Sequence, residues 1–379
     1  MNEKQWEREF PISRYLSAKA VKSKIPLHGI FELTSRCNFK CKMCYIHSLK
    51  NGEKLKQKEL SVDQWIAIAK EAKQCGTLFL LLTGGEAMLR EDFVEIYSKL
   101  STMGFRIAIN SNGSVITNEI LECFKKYPPT KINISLYGAS EETYIKLCGI
   151  AAKSRVTENI RKLKQIGISF RTIMTVTPYN CMDMEKIYEF SKEENTTLKI
   201  GTYTFPPIRQ EEQVCGEDIE RFSAKEAGRN RIRWEQLLYS KDGFRQKAYK
   251  KISECEEIRR ISEKRNEKEG SGILCQAGRS AYWITWDGKM RPCGLMTYPE
   301  VNILEEGFET AWRQIHTMTK EIRLPKECSN CENKKICRVC AAMCQAETGR
   351  FDKRPEYVCK MAEEMKKRYL EEVLADKPQ

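Results

Sequence analysis

From His28 onward, apolar runs and amphipathic stretches take turns along the chain. The runs are Gly29–Leu33, Leu78–Leu82, Phe105–Ile109, Lys131–Leu136, Ser169–Val176 and Thr197–Gly201. They are four to eight residues long, the length of strands buried on both faces. The stretches between them, Ser61–Gln74, Glu91–Met103, Asn118–Lys126, Val156–Ile166 and Met184–Lys192, repeat their apolar positions every three to four residues, as helices do. Ser61 and Gln64 form a capping box at one helix start, and Gly104 and Gly167 stand where helices stop. Six strands alternating with five helices predict an α/β fold, a parallel sheet curved into a partial (β/α)6 TIM-like barrel. Ligands in such folds bind at the carboxyl ends of the strands.

Around this unit the pattern changes. Residues 1–27 are a short basic lead-in, and the barrel is expected over 28–205. Pro206 and Pro207 close it, because proline cannot continue a helix or donate to a sheet. Residues 206–269 are charged and helical in period, a solvated bridge with Trp234, Leu237, Leu238 and Phe244 as its buried stripe. Residues 270–379 form a second, cysteine-rich region. Within it, Tyr282–Trp286, Asp287-Gly288 and Lys289–Arg291 read as a hairpin.

Composition narrows the function classes. No apolar run is long enough to span a bilayer or serve as a signal peptide, so a soluble, cytoplasmic protein is expected. The formal charge of +13 lacks a dense basic stripe interleaved with aromatics, so nucleic acid is not an expected partner, nor is a membrane. Seventeen cysteines in a reducing compartment argue for metal rather than disulfides.

Eleven of the cysteines stand in cluster-like spacings. Cys37, Cys41 and Cys44 are spaced C-x3-C-x2-C on the loop after the first strand. Three thiolates suit a 4Fe-4S cubane with one iron left open. The alternatives are three core cysteines or part of a zinc site, though structural zinc takes four ligands, usually in C-x2-C pairs. Forty residues on, Thr83-Gly84-Gly85-Glu86 ends the second strand, where two glycines let the backbone approach a ligand.

This arrangement resembles the radical S-adenosylmethionine (SAM) enzymes. The resemblance implies that SAM chelates the open iron and is cleaved to methionine and a 5′-deoxyadenosyl radical, which takes a hydrogen atom from substrate. By position it assigns SAM contacts to Met43, beside the last cysteine, to Gly84, Gly85 and Glu86, to Asn112 in the Asn-Gly turn after the third strand, and to Ser135 after the fourth. Many relatives carry Asp-Gly where this chain has Tyr137-Gly138. A Val at Gly85 is expected to weaken SAM binding and leave the iron untouched.

The C-terminal cysteines resemble the SPASM extension, which carries two auxiliary 4Fe-4S clusters in peptide-modifying members. Cys328, Cys331, Cys337 and Cys359 match the outer cluster's ligands, and Cys275 and Cys293 two of the inner one's. The next inner ligand falls at Ala341, flanked by Cys340 and Cys344, and either or both can serve. A zinc ribbon is the alternative for this tail. Most of Cys75, Cys123, Cys148, Cys181, Cys215 and Cys255 are expected to be small core residues, with hydrogen-atom donation the alternative for Cys148 and Cys215 on the side where the site should open.

The resemblance implies SAM and three 4Fe-4S clusters, a peptide substrate and an external electron donor such as flavodoxin or ferredoxin; leader recognition needs either a separate leader-binding protein or another surface. The leading expectation is a thioether or carbon–carbon crosslink in a ribosomally made peptide. The rivals are a small-metabolite substrate, sulfatase-maturase-like side-chain oxidation, and a module whose clusters only transfer electrons. Sulfatase maturases carry an aspartate as base where Gly294 stands here, which disfavours that reaction. No catalytic base is assigned by the sequence.

Overall fold

A computed structural model describes residues 11–46, 55–207, 220–262 and 270–375. All six strands form at or within two residues of their expected positions: β1 (His28–Glu32), β2 (Phe79–Thr83), β3 (Arg106–Ser111), β4 (Lys131–Ser135), β5 (Phe170–Thr175) and β6 (Leu198–Gly201). They pair in parallel in chain order, β1 beside β2 and β5 beside β6. The helices between them are α2 (Val62–Gln74), α3 (Phe93–Thr102), α4 (Asn118–Lys126), α5 (Glu141–Cys148), α6 (Lys153–Gln165) and α7 (Met184–Glu193). The Ser61/Gln64 capping box is present, and Gly104 and Gly167 take positive φ at the helix ends.

Three features go beyond the sequence pattern. The lead-in contains a helix, α1 (Pro11–Ser23), which buries Ala20 and sets Ser17 Oγ 3.4 Å from His28 Nε2. α5 is a separate helix, N-capped by Ser140 and anchored by Tyr144 and Leu147. Its Glu141 carboxylate accepts from the Lys153 and Ser154 N–H groups at 2.9 and 2.8 Å, so α6 starts three residues earlier than its apolar period.

The third concerns the sheet itself. The expected hairpin forms, with β7 (Ala281–Ile284) antiparallel to β8 (Lys289–Arg291) and Gly288 at positive φ. It does not stand apart from the barrel. β7 pairs in parallel with β1, and with β9 (Val301–Asn302) the sheet has nine strands, ordered β6-β5-β4-β3-β2-β1-β7-β8-β9. Fully buried Tyr282 crosses over Gly29, where an added Cβ would come within 2.5 Å of the phenol oxygen. Trp283 Nε1 donates at 2.7 Å to Glu32, a carboxylate with no exposed surface.

The bridge is more than a solvated link. α8 (Ala224–Leu238) and α9 (Lys241–Ser262) pack along the last helix, α12 (Glu356–Leu374), after α10 (Phe308–Glu321) and α11 (Ala341–Thr348). Ile232, Phe244 and Ile252 share a buried cluster with Met365 and Tyr369. Trp234 and Phe244 are buried as expected, while Leu237 and Leu238 are partly so. The main core lies within the barrel, with Phe31 stacked on Trp65 at 5.0 Å. Among the described residues no helix is long and apolar enough to cross a membrane.

Candidate active site

β1 delivers the loop of Cys37, Cys41 and Cys44 to the carboxyl end of the sheet, and all three are half-buried. Cys37 Sγ accepts from the Phe39 N–H at 3.4 Å and lies 3.7 Å from Asn112 Nδ2. Donors aimed at a thiolate spread its charge, a common way to hold a cluster ligand. Burial pushes the Cys37 thiol up to about 12, so iron binding there must displace a proton. Cys41 is held higher still, first through its contact with Cys148.

The Gly-Gly-Glu segment is tied to this loop through the main chain. The Gly85 N–H donates to Thr34 O at 2.8 Å and the Glu86 N–H to Arg36 O at 2.9 Å. An added Cβ would come within 2.3 Å of Thr34 O at Gly84 and of Arg36 O at Gly85. The expectation of untouched iron in a Gly85 variant is therefore corrected, because the first thing a side chain meets is the backbone just before Cys37.

Glu86 is also placed differently from a ligand contact. It has no exposed surface, and its carboxylate accepts from the Asn112 N–H at 2.6 Å, the Met88 N–H at 3.2 Å and Ser111 Oγ at 3.1 Å. Burial raises its pKa to about 7 despite these bonds. It ties the turn after β2 to the turn after β3. Asn112, in the latter turn, donates to Asn38 Oδ1 at 2.9 Å and accepts from the Ser114 N–H at 2.9 Å. It thus steadies the cysteine loop from the side. Met43 is buried in the core, and Ser135 ends β4 half-buried.

Sequence reasoning missed four supporting groups. Tyr137, passed over because it departs from the family's Asp-Gly, is beside Ser135, Cys41, Cys44 and Cys148, and burial keeps its phenol protonated well above the usual range. Cys148, expected to be a core residue, is fully buried as expected, yet it ends α5 against the loop, with its carbonyl accepting from the Lys40 N–H at 2.9 Å. Glu59 and Arg90 are the other two, each 5% exposed. Glu59 accepts from Arg36 at 2.8 and 3.0 Å and from Thr34 Oγ1, while Arg90 donates to Leu33 O at 2.8 Å and Leu60 O at 3.0 Å. Their only sequence signal is a charge beside each motif. Glu59→Gln leaves two arginines short of a buried partner and is expected to cost about 3 kcal/mol. Thermal melting of the reconstituted protein checks it, and an unchanged midpoint would remove Glu59 from the loop's support.

At the other end of the chain Cys275, Cys293, Cys328, Cys331, Cys337, Cys340 and Cys359 line one cavity of ≈ 660 Å³. A single zinc ion would draw four sulfurs to about 2.3 Å from one point. Among the described residues no three His, Cys, Asp or Glu side chains are gathered that tightly. The sulfurs ring a larger space, and donors again face them: the Leu295 N–H meets Cys293 Sγ at 3.5 Å, and Arg354 Nε meets Cys359 Sγ at 3.1 Å. Cys328, Cys331, Cys337 and Cys359 are mutual neighbours, and Cys340 neighbours Cys275. Cys344 is fully buried on α11 and outside the cavity lining, so of the two open alternatives Cys340 fits the inner set. Cys123 and Cys255 are buried, Cys75 and Cys181 half-buried, and Cys215 lies outside the described residues.

These features agree with what the chain is similar to. Residues 31–191 match the Radical SAM superfamily model. The match gives these residues as a radical SAM domain, of a superfamily that implies SAM and a 4Fe-4S cluster. The chain's C-terminal region is cysteine-rich and shares the fold of the solved structures described below. The AdoMet-dependent heme synthase of Methanosarcina barkeri is 27% identical over 333 residues, covering 85% of this chain and 93% of that one. The sporulation killing factor maturation protein SkfB of Bacillus subtilis is 25% identical over 320 residues, covering 82% and 69%. Two solved structures share the fold. Streptococcus suis SuiB bound to the precursor peptide SuiA has a TM-score of 0.63 at 16% identity, covering 92% of this chain and 80% of that one. AdoMet-bound anSMEcpe has a TM-score of 0.67 at 15% identity, covering 92% and 99%.

Proposed function

We propose that the enzyme oxidatively modifies a ribosomally made peptide, forming a thioether or carbon–carbon crosslink. The observation that carries this reading is the seven-cysteine cavity, joined to the barrel by a shared sheet. Similarity to SkfB, and to SuiB with its precursor peptide, supports a peptide substrate. When bound, SAM and the cluster supply a one-electron cleavage and a carbon-centred radical.

Each group of residues has a part in this reading. Cys37, Cys41 and Cys44 hold the SAM-binding cluster, and Glu86, Asn112 and the Glu59 network fix the loop that carries them. The two glycines bring the backbone against that loop. Cys328, Cys331, Cys337 and Cys359 hold the outer auxiliary cluster, and Cys275, Cys293 and Cys340 the inner one, which leaves one inner iron open. Clusters held by these cysteines would supply an electron acceptor for an oxidative product, and the cluster at Cys37, Cys41 and Cys44 would take its electron from an external donor such as flavodoxin or ferredoxin. Anaerobic turnover with SAM, a reductant and any short peptides encoded beside the gene tests it. A peptide mass shift of −2 Da per link with 5′-deoxyadenosine is expected. SAM cleavage that leaves every such peptide unchanged would overturn it.

A small-molecule substrate is the second reading, favoured by the match to the heme synthase across most of its length. Sulfatase-type oxidation has a specific obstacle. A Cβ at Gly294 would come within 2.6 Å of the Trp283 ring, so this position has no room for the aspartate that sulfatase maturases use there. The enzyme is expected to make no formylglycine from Cys- or Ser-containing sulfatase peptides while still cleaving SAM. Mass spectrometry reads this directly, and an aldehyde product would reverse the preference.

A further inference from the structure

Beside the seven-cysteine cavity, and sharing Cys337 and Arg338 with it, a second concavity of ≈ 320 Å³ lies between the end of β6, the bridge and α12. Its apolar lining includes Phe205, Met343, Met361 and Met365. Five cations also line it, Arg231, Lys247, Lys251, Lys335 and Arg338, against one carboxylate, Glu235. That carboxylate is 3% exposed and already engaged by Arg231 at 3.3 Å, Lys247 at 3.1 Å and the Tyr369 hydroxyl. Lys251 pairs with Glu254 at 3.2 Å. Neither Lys335 nor Arg338 has an ion-pair partner among the described residues. Thr202, 3% exposed, also lines the cavity, and its Oγ1 has no hydrogen-bond partner.

A buried hydroxyl without a partner costs free energy that a ligand can recover. Uncompensated cations beside a methionine-rich floor favour a ligand that is anionic at its edges and apolar in its body. We propose that this cavity binds an acidic segment of the peptide substrate. One apolar side chain enters against the methionines, flanking carboxylates meet Lys335 and Arg338, and a main-chain group pairs with Thr202 Oγ1. The volume suits one or two side chains rather than a folded domain. Because Gly201 and Thr202 form part of its wall, a peptide held here is also held at the carboxyl end of the sheet. The chain then has a leader-recognition surface of its own, the second of the two alternatives the sequence left open beside a separate leader-binding protein. This inference rests on the peptide reading of the substrate.

Fluorescence anisotropy with the reconstituted full chain tests it, using a fluorescein-labelled octapeptide alternating Glu and Leu. The expected result is saturable, salt-sensitive binding that Lys335→Glu weakens about tenfold and Thr202→Val about threefold, with iron content unchanged. The same octapeptide with Lys in place of Glu should not bind. Equal binding of the Lys peptide, unchanged affinity in both variants, or full displacement by octanoate, which would mark a site for small carboxylates, overturns the proposal. Failure here is separable from failure of the peptide reading. If the genome-neighbour peptide is modified with the same KM by Lys335→Glu, only the cavity assignment falls. If no peptide is modified but the Glu-Leu peptide binds through Lys335, only the substrate reading falls.

Discussion

Replacing Cys37, Cys41 and Cys44 together by Ala should remove about a third of the reconstituted iron and all SAM cleavage. Three clusters amount to roughly twelve irons, of which this loop would hold four. The loss of cleavage should be total, because seven of the other eight cluster-spaced cysteines line a different cavity towards the far end of the chain. The C-terminal cysteines have no Gly-Gly-Glu segment beside them to receive an amino acid. Iron per chain and 5′-deoxyadenosine after anaerobic incubation with dithionite give both numbers from one preparation. Cleavage at the wild-type rate would take the loop out of the active site.

Gly85→Val should be nearly as damaging, through the same loop. The new Cβ arrives 2.3 Å from Arg36 O and 2.7 Å from Arg36 C, and no real Cβ tolerates backbone so near. Either the turn after β2 retreats and breaks the Gly85-to-Thr34 hydrogen bond, or the cysteine loop shifts. A β-branched side chain has few rotamers with which to evade the contact. Iron should fall by up to a third and SAM affinity should drop at least tenfold, followed by the cluster's spectrum during SAM titration. Normal iron with weakened SAM would instead mean that the segment touches only the ligand. Normal values of both would make it an ordinary turn.

The barrel was legible because its strands keep an apolar residue at nearly every second position or denser, as FLLLT in β2 and KINIS in β4 show, between stretches of helical period. The C-x3-C-x2-C loop and the hairpin at Asp287-Gly288 were equally plain, the first from spacing and the second from turn chemistry. α5 was harder to see, since two turns offer too few apolar positions for a period to show, although Ser140 before two glutamates is a start signal. The pairing of β7 with β1 joins residues some 250 apart, and no local pattern encodes such a register. Glu86 illustrates a different gap. Its place in the Gly-Gly-Glu motif suggested a ligand contact, but only three dimensions reveal that Asn112 N and Ser111 Oγ claim its oxygens first. Arg90 and Glu59 carry no motif at all and become meaningful only through the carbonyls and arginine they face.

The seam between β1 and β7 has a bearing on how the protein comes off the ribosome. Until residues 281–284 have been synthesised, β1 is the last strand of the nascent sheet, with its backbone groups unpaired on one side and Glu32 lacking the Trp283 indole. An open parallel edge next to a loop of reactive thiols is a hazard for aggregation and for premature metal capture. The barrel's first strand is thus completed by a segment translated some 250 residues later. A fragment ending at the bridge would keep every SAM-facing motif and still carry a raw edge along the strand that leads into them.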